Sequence, residues 1–235
     1  MARCLFCNHE GQVTQEHAPP KWTKKAFFAR NPDRDPNGIR KVRGDSDRPS
    51  PHFSDWTDAL CASCRVWWNK NFEDRARQYI EPILFGEAVT VPETEVPVVA
   101  TWIGYQSMIR AKFFQDPTFG EYPSENFRYI RLHRQLPDDH VLWVACRGDD
   151  VTSVTPDPTV TPWSYEPECP VSRSVLFKLV YRHHYCAPNA TTARHDGEGN
   201  HAVVRLWPWP GGNLDWPPPS VLTVETYSKL YKNTE

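Results

Sequence analysis

Cys4-Leu5-Phe6-Cys7 and Cys61-Ala62-Ser63-Cys64 bracket the stretch Glu16-His17-Ala18-Pro19-Pro20-Lys21-Trp22, and these three runs decide the fold. The two-residue spacer in each C-x-x-C pair lets both sulfurs reach one ion. Cys4, Cys7, Cys61 and Cys64 are therefore expected to form a closed, tetrahedral structural zinc (Zn2+) site. The loop between the pairs, residues 8–60, is 53 residues long, too many for a minimal zinc finger. Further structure is expected inside it, and Glu16-His17 is the part able to do chemistry.

Around these runs, 235 residues with 39% apolar composition suffice for one large domain or two small ones. The 23 prolines lie largely among aromatics, which points to ordered loops rather than low complexity. No apolar run approaches the roughly 18 residues of a membrane span, and the first residues lack a signal-peptide shape. With four of the seven cysteines in metal-type pairs, thiol usage fits a reducing compartment. A cytoplasmic protein with no membrane partner is expected. Cys146, Cys169 and Cys186 are left over, and Cys186 after His183-His184 lacks a standard ligand spacing.

The net charge of −2 hides an asymmetry: residues 1–80 hold 14 Lys+Arg against 10 Asp+Glu, whereas the remainder is acidic. A basic front half around a metal site suits a polyanionic partner, although ordinary surface scatter explains the imbalance equally well.

The knuckle at Cys4 should lead through a turn near Gly11 into a strand over 13–17 that ends at His17. Pro19-Pro20 stops that strand, and a short helix is expected over 21–30. Residues 31–52 read as a polar loop. From 63 to 84 the pattern is helical: Trp68, Phe72, Ala76, Tyr79, Ile80 and Ile83 form a buried face, Arg65, Asn69 and Glu73 form a second stripe, and Pro82 and Gly86 mark the end. A second long helix is expected over 98–114. Beyond residue 116 the texture is β, with strands over 127–133, 140–147, 175–186 and 201–207 and a last helix over 220–231. The expected class is α+β, divided into a stapled module (1–88), a connector and helix (89–115) and a mainly β C-terminal region (116–235).

A knuckle, a strand ending in Glu-His-x-x-Pro, a second knuckle and then a helix with Trp68 and Phe72-Glu73 resemble the HNH, or His-Me finger, endonucleases in their zinc-stapled form. The specific likeness covers about the first 85 residues. The resemblance implies a ββα-metal fold in which His17 takes a proton from the attacking water and Glu16 holds a hard cation, Mg2+ or Mn2+, separate from the zinc. His is a competent base near neutral pH, and a carboxylate oxygen suits a hard ion.

Two positions depart from the family pattern. Arg65 stands where a metal-binding Asn or His is usual, and a guanidinium cannot ligate a cation; Asn69, one turn on, is the substitute ligand. The usual Asn before the second knuckle is also replaced, with Asp55 and Asp58 as the nearby polar residues. Arg65, Lys21, Lys24 and Lys25 are expected to contact substrate phosphates. DNA is the expected partner, and the oligomeric state stays open, a homodimer included. The expected function is metal-dependent hydrolysis of DNA phosphodiester bonds; the alternative is a catalytically inactive, zinc-stapled nucleic-acid binding protein. An interaction protein that works through its C-terminal half is a third reading.

Overall fold

The structure, a computed structural model, describes residues 2–17, 20–30, 56–114, 124–146, 175–181 and 203–220. The polar loop expected over 31–52, the helix expected over 220–231 beyond its first residue, and His183, His184 and Cys186 lie outside the described residues.

The front of the chain is built on an antiparallel pair. Strand β1 (Thr14–His17) lies against β2 (Trp56–Leu60), with Glu16 opposite Thr57 and His17 opposite Trp56. The returning strand therefore pairs far along the chain, while the local turn closes only a single antiparallel bridge, Arg3 to Glu10. Leu5 N–H bonds to Ala59 O at 2.8 Å, which docks the first knuckle on β2. Helix α1 (Lys21–Arg30) follows β1 as the Pro19-Pro20 stop implies.

After β2 the chain enters one continuous helical run: α2 (Ala62–Trp68), a π turn (Asn69–Glu73) and α3 (Asp74–Leu84). The widening has a local cause. The Asn71 side-chain amide donates to Trp67 O at 2.7 Å, taking the acceptor that an α-helical N–H would use. The Asp74 N–H then reaches back five residues, to Asn69 O. Helix α3 closes as its sequence predicts: Gly86 at φ 69° lets Glu87 N–H reach Pro82 O and Gly86 N–H reach Ile83 O, a Schellman end.

Strand β3 (Val89–Val91) leads to α4 (Val96–Phe114), whose residues 98–109 are all buried. A helix buried on every side over that stretch belongs at the centre of a fold. It packs against β2, the π turn, α3 and the later strands, and it comes so close to Leu136 that a Cβ on Gly104 would lie 2.5 Å from that side chain. No described helix is long and apolar enough to cross a membrane.

Residues 127–133, expected as a strand, are helical: α5 spans Ser124–His133. Phe127 and Ile130 are buried one turn apart, and Glu125 sits in the first turn, where a carboxylate opposes the helix dipole. The strands β4 (His140–Cys146), β5 (Val175–Tyr181) and β6 (Val203–Trp207) form an antiparallel sheet in the order β5-β4-β6. Strand β7 (Leu214–Trp216) pairs with β3, an association no local pattern announced. The described parts are thus a mixed α+β assembly. One apolar cluster runs from Cys4 through Trp68 and Tyr105 to Trp216.

Candidate metal centre and the charged pair beside it

The knuckle turn at Cys4 and the start of α2 converge on one point. The sulfurs of Cys4, Cys7, Cys61 and Cys64 all lie within 4.8 Å of one another, and Cys7 Sγ is 3.7 Å from Cys61 Sγ. A tetrahedral ion with bonds of about 2.3 Å to sulfur sets its ligands about 3.8 Å apart, so four thiols at this spacing can hold a metal ion. None of the four is in a disulfide.

Their acidities are pulled apart. Burial pushes Cys61 up, but the Ser63 hydroxyl, the Cys64 backbone N–H and the neighbouring thiols outweigh it and bring Cys61 down to about 6. Burial, with the adjacent sulfurs, pushes Cys64 well above the ordinary thiol value. The Cys61 thiolate forms readily while Cys7 and Cys64 resist; a bound cation resolves this conflict by stabilising the thiolates together.

Glu16 and Arg65 meet next to this centre. The Glu16 side chain is 3% exposed and its Oε2 is ion-paired with Nη1 of Arg65, which is 33% exposed. Arg65 follows Cys64 directly, and its backbone N–H donates to Cys61 O at 2.9 Å. Arg65 is thus fixed at its base by the knuckle and at its tip by the carboxylate. Asn69, one turn on, has a buried Oδ1 with no hydrogen-bond partner among the described residues. The Tyr105 hydroxyl is buried near the same charges; its pKa is raised by burial and eased by Arg65.

Among the described residues, the side chains around Glu16 do not fit a hard divalent cation. Its carboxylate is already neutralised by a permanent cation, and an added dication would face that guanidinium at close range. Asn69 offers a neutral oxygen only. Glu73, the buried carboxylate of the π turn, is committed elsewhere: Trp22 Nε1 donates to Oε1 at 2.6 Å and Trp102 Nε1 donates to Oε2 at 2.8 Å.

Of the remaining expected site residues, His17 ends β1 and its side chain lies outside the described set. Lys21 and Lys25 are exposed on α1, and the Lys24 side chain is not among those described. Trp22 is engaged by Glu73 and packs against Trp102 at 5.8 Å, so it serves the fold rather than standing free to stack on a base. Sequence reasoning missed two features: the double indole grip on Glu73, signalled only by a carboxylate beside a buried Phe, and Arg131, whose guanidinium lies 4.1 Å from the Trp67 ring centroid.

No family model matches this chain, and searches of curated proteins and of solved structures returned no match.

Proposed function

We propose that the chain is a zinc-stapled protein that hydrolyses DNA phosphodiester bonds, with His17 as general base, in a cytoplasmic setting where its thiols stay reduced. The observation that carries this reading is the neighbourhood of β1 and α2. His17 follows Glu16, and Glu16 is paired to Arg65, so a base, a buried carboxylate and a cation occupy two adjoining elements. The resemblance of the Glu16-His17 and knuckle stretches to HNH endonucleases supports the same chemistry.

In this reading His17 accepts the proton of a water whose oxygen bonds to phosphorus. The phosphorus to 3′-oxygen bond breaks, and the departing oxygen takes a proton from solvent. Zinc at Cys4, Cys7, Cys61 and Cys64 holds the frame and takes no part in the step. The test is cleavage of plasmid DNA by zinc-loaded protein. His17→Ala should lose about 10²- to 10⁴-fold in rate with its zinc and fold intact; equal rates would remove His17 from the mechanism.

A second reading, nucleic-acid binding without catalysis, is favoured by the Glu16 to Arg65 pair, which leaves Glu16 without a hard ion to hold. It predicts DNA binding by the wild type with no cleavage at any divalent-ion concentration.

A further inference from the structure

A carboxylate that is 3% exposed must be neutralised within the fold, because an isolated buried charge is far too costly. Arg65 does this at Glu16. Arginine keeps its charge at any working pH and carries five N–H donors in a rigid fork, of which the contact with Glu16 engages one edge. The side chain is 33% exposed, so donors remain within reach of solvent. Its backbone is set by the bond to Cys61 O, one residue beyond Cys64 of the four-thiol cluster that could hold a metal ion. A guanidinium oriented by a buried carboxylate, on a backbone fixed in a helix turn, is a receptor for a tetrahedral oxyanion and has less side-chain freedom to lose on binding than a free surface arginine.

We propose that Arg65 supplies the positive charge of this site in place of a divalent cation: its guanidinium, oriented by the buried Glu16 carboxylate, is the phosphate-binding group, and no divalent cation binds at Glu16. Glu16 is then a positioning residue. The identification of the anion as a DNA backbone phosphate rests on the nucleic-acid reading above, whereas the exclusion of a cation does not.

The exclusion is tested by Mn2+ titration of zinc-loaded protein, read from the electron paramagnetic resonance of free Mn2+. The wild type should take up none below about 1 mM, the upper end of the range in which carboxylate-built cation sites fill. One Mn2+ bound per chain, lost in Glu16→Gln, overturns the proposal.

The phosphate role is read from binding of a short DNA duplex against salt. Arg65→Lys keeps a cation opposite Glu16, and with it the fold, yet should weaken binding about tenfold by losing the fork. Arg65→Ala should also flatten the salt dependence by about one counterion. Glu16→Gln gives the sharpest outcome. Removing a negative charge from a merely electrostatic surface strengthens DNA binding, whereas releasing an oriented Arg65 weakens it, here by about three- to tenfold. Tighter binding by Glu16→Gln, or unchanged binding by both Arg65 variants, overturns the proposal. DNA binding with these responses but without cleavage sinks the hydrolytic reading alone and leaves the role of Arg65 standing. Absence of any DNA binding by the wild type overturns the phosphate role together with the nucleic-acid reading, and the Mn2+ result still decides the exclusion.

Discussion

Two buried carboxylates, Glu16 on β1 and Glu73 in the π turn, are stabilised by opposite means. Glu16 is met by a full positive charge, Arg65, which is partly open to solvent. Glu73 is met by two neutral indole N–H groups, from Trp22 on α1 and Trp102 on α4. The first arrangement leaves a cation with donors to spare at the surface. The second spends both carboxylate oxygens on tying helices together. Charge paired with charge can be turned outward to a ligand, whereas charge held by dipoles is a structural knot. His140, at the start of β4, shows a third solution: burial lowers its pKa and keeps the ring neutral, opposed by Asp139 at 2.9 Å.

The coarsest way to break the contrast is Cys61→Ser. The four-thiol centre joins the first knuckle to the start of α2, beside Arg65, and structural zinc contributes on the order of 10 kcal/mol or more to small domains. Loss of the ion, counted by metal analysis, should abolish amide protection in β1 and β2, while amides in α4 stay protected. Retention of full protection in zinc-free protein would mean that the staple is not structural.

Arg65→Ala comes next, because it strands Glu16 as a buried charge. Breaking a fully buried pair costs roughly 3–5 kcal/mol, and exposure of a third of Arg65 lowers the expectation to about 2–4 kcal/mol. In urea unfolding, the double variant Arg65→Ala with Glu16→Gln should recover much of this loss. No recovery would show that the pair contributes through packing instead.

At the other carboxylate, Trp102→Phe removes one donor to a charged acceptor, at about 1.5–3 kcal/mol. DNA binding should be unaffected, which separates this structural carboxylate from Glu16. A loss of DNA affinity at unchanged stability would undo the distinction.

The smallest effect is a pH response at His140. Its folded pKa lies below the ordinary 6.5, so the unfolded chain binds more protons below that value. Stability from this source is complete above pH 6.5 and falls as the pH drops towards the folded pKa. The loss is at most about 1.4 kcal/mol by pH 5.5. His140→Gln should flatten that part of the wild-type profile; identical profiles would show that the ring gains no neutrality from burial.

Spacing and periodicity made part of this legible beforehand. The four thiols were readable because a C-x-x-C pair constrains geometry locally, and the end of α3 because Pro82 and Gly86 each impose a backbone state. Residues 127–133 misled, since aromatic and β-branched residues at short spacing mimic a strand; Phe127 and Ile130 on one face, after Glu125 in the first turn, were the helical signal. The meeting of Glu16 with Arg65 was not legible. Each side chain had a plausible role alone, and only the docking of β1 and β2 beside α2 brings them together. The β3 to β7 pairing was hidden for a similar reason, since three-residue strands carry almost no periodicity.

That last pairing bears on how the protein is made. A ribosome releases the chain from its N-terminus, and residues 61–64 complete the thiol set long before Leu214–Trp216 emerge to join Val89–Val91. In between, the nascent chain carries α4, a helix whose residues 98–109 are all buried in the finished fold, with β6 and β7 still unsynthesised. Metal captured early would hold the front of the chain in order through that interval. Zinc starvation during translation should therefore lower the soluble yield more than zinc removal from the finished protein lowers its solubility.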